Sequence, residues 1–341
     1  MFGGAIVTGF GLAVVMAFAF AVTNGLHDAA NAIATLIATR AGRPLPAVLL
    51  AAACNMIGPL LLGAAVANTI ATMVQVPPSE QIAVIGAGLT GAVVWNVLTW
   101  LRGLPASSSH ALVGGLVGAA LVADGVSAVN WGGIEGWRPV GVWGVLIALA
   151  VSPLLGFWGA AGLTRLSLRP LGRATTRVLG PIRKGQWATT AWLAFSHGSN
   201  DAQKAVGVVA ALLLANGSID SLSAPVWVTL VSGAALTFGT ALGGWSIVRT
   251  IGSRITRLRP LDGLTSSTGS AAVILVSSLI GAPASTTQVV SSAVVGTGFG
   301  RHRAGHVHWD IVRKIVTAWI TTLPAAAVIA AVSYPIWRWL A

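Results

Sequence analysis

Charge is what this 341-residue chain has least of: 8% of its residues are Asp, Glu, Lys or Arg, against roughly 25% in soluble domains. Twenty basic and eight acidic side chains cannot give a water-soluble protein of this size its polar cover. No soluble domain is left to carry nucleic-acid binding. Cysteine is nearly absent. The single Cys54 lies inside an apolar run, which excludes a disulfide framework and leaves a thiol no second partner. The first apolar stretch also lacks a basic lead-in and a small-residue cleavage site, so it reads as a retained helix rather than a signal peptide.

What is present is apolar. Hydrophobic residues make up 55% of the chain, and Gly3–Ala21, Ala47–Val74, Gly141–Leu163 and Val312–Val332 reach the roughly 18–20 residues needed to cross a bilayer core. The expected fold is an all-α integral membrane protein. Glycine, 42 residues in all, is enriched over the usual ~7%, as close helix packing and broken membrane helices require. The net charge of +12 sits in short loops: Arg40 and Arg43; Arg165, Arg169, Arg173, Arg177, Arg183 and Lys184; Arg249, Arg254, Arg257 and Arg259; Arg301, Arg303, Arg313 and Lys314. Basic residues gather on cytoplasmic loops and attract anionic lipid. The partner implied by the charge is therefore the lipid bilayer, not nucleic acid.

Two segments repeat. Asn24–Ala32 (NGLHDAANA) aligns with His197–Ala205 (HGSNDAQKA), and Pro105–His110 (PASSSH) aligns with Pro283–Gln288 (PASTTQ). The interval from Asp28 to Pro105 is 77 positions and that from Asp201 to Pro283 is 82. Each half carries five apolar elements: Gly3–Thr39, Ala47–Val74, Ile82–Leu101, Ser107–Ala123 and Gly141–Leu163, then Trp187–Ala215, Pro225–Val248, Leu264–Ile280, Ser285–Gly298 and Val312–Val332. An odd number of crossings turns the second half upside down. The four basic clusters, 16 of the 20 Lys and Arg residues, then share the inner face, while Glu80, Asp124, Glu135 and Asp220 fall outside. If the third and fourth elements form a re-entrant hairpin instead of two crossings, the assignment is unchanged. The expected organisation is a first membrane repeat over residues 1–164, a basic cytoplasmic linker over 165–185, and a second, inverted repeat over 186–341. About ten to twelve membrane segments are expected, with discontinuous helices and two Ser/Thr-tipped hairpins. Inverted repeats with broken helices near the midplane are the architecture of secondary transporters.

Asp28 and Asp201 lie in the apolar belt, where a carboxylate is expensive and marks function by default. Thr23, Asn24 and Gly25 precede one; Ser196, Gly198, Ser199 and Asn200 precede the other. These residues predict a helix break at each Asp. Carbonyls freed there, with a carboxylate, make a cation site, and helix N-termini make an anion site. The plainer alternative is an Asp N-cap. Ser107, Ser108 and Ser109, and likewise Ser285, Thr286 and Thr287, place three hydroxyls at the start of a glycine-rich segment. Neutral donors at a helix start suit a tetrahedral oxyanion; ordinary N-capping is the alternative. Lys204 holds the place of Asn31 in the other copy and can pair with Asp201 or meet an anionic substrate. Arg102 can reach the same anion or extend to an interface. His27, His110 and His197 are intramembrane histidines, suited to proton coupling or to plain hydrogen bonding. His302, His306 and His308 read as a solvated loop, so no metal site is expected. Trp131, Trp137, Trp309, Trp337 and Trp339 read as interface anchors.

Gly25–Ala32, Phe195–Lys204 (FSHGSNDAQK), the two Pro-Ala-Ser hairpins and Arg313–Trp319 (RKIVTAW) resemble the inorganic phosphate transporter (Pit) family over essentially the whole chain. The resemblance implies co-transport of phosphate at one central site shared by the two halves. His27 before the first Asp, and Gln203-Lys204 where sodium-coupled members carry Ala-Asn, resemble the bacterial low-affinity proton-coupled branch. That branch implies a carrier of neutral metal–phosphate complexes. The reading is a phosphate importer of the bacterial plasma membrane working by proton symport, with no cofactor and no catalytic residues; a homodimer is an open arrangement. Ser107, Ser108, Ser109, Ser285, Thr286, Thr287, Asn31 and Lys204 are expected at phosphate. Asp28, Asp201, Asn24, Asn200, His27 and His197 are expected at the coupling cation or proton. The alternatives are a sulfate permease of the same superfamily and a sodium-coupled symporter. A membrane phosphatase needs a nucleophile–base arrangement that the repeat does not preserve.

Overall fold

The computed structural model describes residues 2–135, 138–171, 175–302 and 304–341. Trp137, Arg173 and Arg303 lie outside the described residues. The helices in chain order are α1 (Phe2–Ala38), α2 (Pro44–Leu61), α3 (Ala65–Ala71), α4 (Pro78–Leu101), α5 (Ser108–Asp124), α6 (Gly141–Leu171), α7 (Leu179–Ala215), α8 (Val226–Leu242), α9 (Trp245–Arg249), α10 (Pro260–Leu279), α11 (Thr286–Gly300) and α12 (Trp309–Leu340). Among the described residues the only strands are a two-residue pair, Ile134–Glu135 with Arg138–Pro139. Prolines set several starts: Pro44, Pro78 and Pro260 stand at the first turn of α2, α4 and α10, where a missing N–H costs nothing. The ten apolar elements read from the sequence are all helical. The expected linker is largely helix too, because α6 runs to Leu171 and α7 starts at Leu179.

Among the described residues six helices are long and apolar enough to cross a membrane, or seven if the bent pair α8 and α9 with its π turn is one span. The protein is an all-helical, multi-pass membrane protein.

The expected break at each Asp is not there. Helices α1 and α7 run 37 residues each, straight through Asp28 and Asp201. The glycines beside the Asp residues serve packing instead of interruption. A side chain at Gly25 would strike the α8 backbone at Leu236 and Thr240, and one at Gly198 would strike the α2 backbone at Asn55. Without a hydrophobic drive between helices in lipid, such close approach is how they associate. The polar residues find partners on neighbouring helices, so neither Asp has to cap a helix end.

The discontinuities fall one element later in each half. Helix α2 stops at Leu61 and α3 resumes at Ala65; α8 stops at Leu242 and α9 resumes at Trp245, with a 62° bend. Freed backbone groups inside a membrane must be satisfied. At the first break Gln203 does this: its Oε1 accepts from Val66 N at 2.8 Å and Ala67 N at 3.3 Å, and its Nε2 donates to Leu62 O at 2.9 Å.

Packing crosses between the halves. Helix α1 lies on α8 and α7 on α2; α12 lies on α4 and α5, and α6 lies on α10 and α11. Interchanging the first five elements with the last five leaves this pattern unaltered. One apolar core gathers around Ala13, Phe20, Leu89, Leu112 and Leu212, and a second around Ile33, Leu36, Ile251 and Ile274. Along α1 the polar residues Asn24, His27 and Asp28 fall between the two. Trp309 and Trp339 are exposed, as anchors require, but Trp337 is buried against α4 and donates to Thr90 Oγ1 at 2.9 Å. It is a packing residue.

Candidate functional site

In α1, Asn24, Asp28 and Asn31 recur at spacings of four and three, which puts them on one helix face. Helix α7 presents His197, Asn200, Asp201 and Lys204 in the same way. The tips of the α4–α5 and α10–α11 hairpins meet these faces, and the tips touch each other through Ser109 Oγ donating to Ala284 O at 2.9 Å. All fourteen residues expected at the site are at most 2% exposed. The cluster is closed to both sides.

The hydroxyl triplets divide their work. The first member of each caps its helix: Ser107 Oγ accepts from His110 N at 3.1 Å and Ser285 Oγ from Gln288 N at 3.4 Å. The capping alternative holds for these two, whose oxygens are taken by their own backbone. The second and third members turn to the carboxylates. Ser108 Oγ lies 2.7 Å from Asn24 Oδ1 and 3.1 Å from Asp28 Oδ2. Thr287 donates to Asp28 Oδ1. Thr286 Oγ1 is 3.3 Å from Asp28 Oδ2 and 3.3 Å from Asp201 Oδ2, and its one hydrogen can serve only one of them at a time. Asn31 Nδ2 joins Asp28 Oδ1 at 2.9 Å to Thr287 Oγ1 at 3.0 Å.

Lys204 pairs with Asp201. Its Nζ lies 2.5 Å from Asp201 Oδ1, 2.6 Å from Ser109 Oγ and 3.1 Å from Ala284 O, which uses all three of its donors. The amino group thus ties α7 to both hairpin tips. Asn200 holds the second tip, with Oδ1 accepting from Ala284 N at 3.2 Å and Nδ2 donating to Ser278 Oγ at 3.1 Å.

Both histidines set one ring nitrogen on a neutral partner and turn the other toward a carboxylate. Thr240 gives its hydroxyl hydrogen to Leu236 O at 3.0 Å, so its oxygen accepts from Asn55 Nδ2 at 2.9 Å. That orients Asn55 Oδ1 toward His197 Nδ1 at 3.0 Å and makes Nδ1 the donor. Nε2 then faces Asp201 Oδ2 at 3.0 Å, an acceptor in the neutral ring and a donor in the protonated one. Likewise Thr99 donates to Trp95 O at 2.9 Å and accepts from His27 Nε2 at 3.2 Å, leaving Nδ1 3.6 Å from Asp28 Oδ1. Two acceptors this close repel unless a proton or a cation stands between them. Asp28, His197 and Asp201 bring three ligand atoms within 4.8 Å of one another, an arrangement that can also hold a cation.

Arg102 does not reach the cluster; it is exposed and turns back to Leu98 O in its own helix. His110 bonds the capping Ser107 at 2.8 Å and not the carboxylates. His308 Nδ1 is held by Arg254 O at 2.9 Å. Ser196 Oγ donates to Trp192 O at 2.9 Å, so it forms no nucleophile–base pair with His197. Sequence reasoning missed Asn55, Thr99, Ser278 and the Ala284 carbonyl. An Asn inside the apolar run Ala47–Val74 was a readable signal; a carbonyl leaves none.

A buried cluster of carboxylates, histidines, one lysine and helix-start hydroxyls among membrane-length helices is the kind of site that helical membrane transporters use. The model of the phosphate transporter family matches residues 24–178 and again 169–330. A protein of Rhizobium meliloti described as a probable low-affinity inorganic phosphate transporter is 41% identical over 323 residues, 94% of each chain. One of the same description from Bacillus subtilis is 36% identical over 329 residues, 95% of each chain. A solved sodium-dependent phosphate transporter has the same fold, with a TM-score of 0.83 at 24% identity, covering 96% of this chain and 98% of that one. The chain belongs to the phosphate transporter family; it is a phosphate transporter and not an enzyme.

Proposed function

We propose that the protein imports inorganic phosphate across the bacterial plasma membrane by proton symport, through two inverted repeats, residues 1–164 and 186–341, joined by the basic cytoplasmic linker 165–185. The observation that carries proton coupling is the pair of histidine–carboxylate contacts, His197 Nε2 to Asp201 Oδ2 at 3.0 Å and His27 Nδ1 to Asp28 Oδ1 at 3.6 Å. Each is a seat for a proton, one per repeat. The exchange-symmetric packing of the helices supports the repeats, and the four basic clusters support the orientation. Helix α11 has 15 residues, about 22 Å at 1.5 Å each, short of the ~30 Å hydrocarbon core. The α10–α11 hairpin is therefore read as re-entrant, its tip meeting that of α4–α5 near the midplane, while α4 and α5 themselves are long and apolar enough to cross.

In this mechanism the bound protons offset the repulsion between two carboxylates and an arriving anion. Phosphate sits at the N-termini of α5 and α11, where N–H groups and helix dipoles favour an anion. Ser108, Ser109, Thr286 and Thr287 turn their hydroxyls from the carboxylates to it, and Lys204 follows as a point charge. Protonated phosphate can also donate to Asp28, which sulfate cannot. Asn24, Asn31 and Asn200 hold the two motifs in register. Rocking of one repeat on the other then exposes the site to the opposite face.

The test is labelled phosphate uptake into proteoliposomes under imposed proton or sodium gradients, with sulfate as competitor. Uptake driven by an inward proton gradient and indifferent to sulfate is expected. Uptake driven by sodium alone would assign the Asp28–His197–Asp201 ligand set to a metal cation, and sulfate outcompeting phosphate would reverse the substrate.

A further inference from the structure

The two repeats are not equivalent on their two sides of the site. Toward the basic face, Thr35 of α1, Thr39 just past its end, Gln186 and Thr190 of α7, and Ser267 and Ser270 of α10 are buried polar side chains, each at most 7% exposed. Thr35 Oγ1 meets Ser267 Oγ at 3.0 Å and Thr39 Oγ1 donates to Gln186 Oε1 at 2.7 Å, so three helices are stitched together through hydroxyls and an amide. On α1 the set continues the Asn24, Asp28, Asn31 face at helical spacing. It ends at a cavity of about 370 Å³ lined by Thr39, Arg40 and Arg257.

Across the site the counterparts are apolar without exception. The interval of 173 positions that relates Asp28 to Asp201 pairs Thr35 with Val208, Thr39 with Leu212, Gln186 with Ala13 and Thr190 with Ala17. The interval of 178 that relates Pro105 to Pro283 pairs Ser267 with Leu89 and Ser270 with Ala92. Those six apolar residues belong to one buried core. If the polar set were only helix packing, the repeat would need it on both sides. Moreover Gln186 Nε2, Thr190 Oγ1 and Ser270 Oγ are buried with no hydrogen-bond partner, which costs about 1–3 kcal/mol each. Groups left so in a membrane interior are stable only where water or a polar solute joins them.

We propose that Thr35, Thr39, Gln186, Thr190, Ser267 and Ser270 form a hydrated release lane between α1, α7 and α10. An oxyanion such as phosphate leaves the carboxylate cluster for the cytoplasmic face along it, with Gln186 and Thr190 as neutral donors on the way. The matching positions on the outer side form a dry seal. The assignment of phosphate and of the cytoplasmic side rests on the proposed function; the wet lane and dry seal do not. Neutral donors suit a release route, since they solvate an anion without holding it as Lys or Arg would.

Cys54 is the only cysteine, so a Cys54→Ala background permits site-directed thiol labelling. In it, Thr190→Cys and its repeat counterpart Ala17→Cys are treated with a membrane-impermeant thiol reagent in vesicles of each orientation. Thr190→Cys is expected to react at least about tenfold faster than Ala17→Cys, from the basic face only, and to be slowed by inorganic phosphate. Equal reactivity of the two, or reaction of Thr190→Cys from the opposite face, overturns the lane. A clear contrast that phosphate does not affect keeps the wet lane and removes phosphate from it. As a second readout, Gln186→Leu is expected to lower the maximal uptake rate about tenfold (about 1.4 kcal/mol) while phosphate binding to the solubilised protein stays within about twofold. Unchanged uptake by Gln186→Leu contradicts the proposal.

Discussion

Replacing Lys204 by Met tests how the two motifs hold each other. Lys204 is fully buried and, among the described residues, is the one Lys or Arg side chain paired with Asp201. Its amino group also bonds Ser109 Oγ and Ala284 O, one group from each hairpin tip. Met matches the length of the stem and removes only the charge and the donors. Breaking a buried ion pair from one side costs about 3–5 kcal/mol, because the remaining charge is left without a partner. Asp201 keeps His197 and Thr286 as neighbours, so the lower end, about 3 kcal/mol, is expected for Lys204→Met. Asp201→Asn alone should cost a similar amount by stranding the ammonium. The double variant leaves no buried charge and should recover most of the loss, giving a coupling energy of about 2–3 kcal/mol in the mutant cycle. The assay is thermal or denaturant unfolding of the purified protein in one detergent, with phosphate uptake measured in parallel. None of the three variants should transport. Additive destabilisation in the double variant, or a Lys204→Met protein as stable as the parent, would refute the pairing and with it the role of Lys204 as the tie between α7 and the hairpins.

Three further outcomes follow from the same contacts. Gln203→Leu should lower the unfolding midpoint, with a loss of about 3 kcal/mol, because Val66 N, Ala67 N and Leu62 O lose their buried partner at about 1–3 kcal/mol each; an unchanged melt would show the α2–α3 break to be satisfied otherwise. Thr286→Val, which removes the hydroxyl shared by the two carboxylates, should raise the phosphate concentration for half-maximal uptake about tenfold (about 1.4 kcal/mol) with little change in the melt. Ser285→Ala should do the reverse, costing about 1 kcal/mol of helix stability as a lost cap while leaving phosphate affinity within about twofold.

Much of the fold was legible because membrane helices are written in hydropathy and charge: the ten apolar elements all appear as helices. The site residues were legible because a carboxylate in an apolar run is conspicuous, and because each appears twice. The helix breaks were misplaced for a physical reason. Gly25 and Gly198 beside an Asp look like interruptions in sequence, yet a glycine that removes a Cβ for a crossing helix gives the same letters. Only the positions of α8 and α2 distinguish the two. The true breaks carry a Pro or Gly signal, at Pro59 and at Gly243-Gly244, that is weak among 42 glycines. Gln203, which in the sequence resembles the low-affinity branch, also satisfies the backbone at the α2–α3 break, a role no sequence pattern shows. The hydroxyl triplets looked uniform, and it took the helix start to separate Ser107 and Ser285, which cap, from the four that face the carboxylates. The polar lane was invisible because isolated Thr, Ser and Gln residues are ordinary along any helix. Their meaning lies in three helices meeting and in the apolar identity of their repeat partners.

The central claim is that Asp28 and Asp201, one from each repeat, form the coupling and substrate site with the hairpin hydroxyls. Labelled phosphate uptake by Asp28→Asn and Asp201→Asn proteins, reconstituted at equal density under an inward proton gradient, tests it most directly. Both variants should reconstitute as folded protein and show no gradient-driven uptake above protein-free vesicles. Uptake by either one at the parent rate would contradict the account.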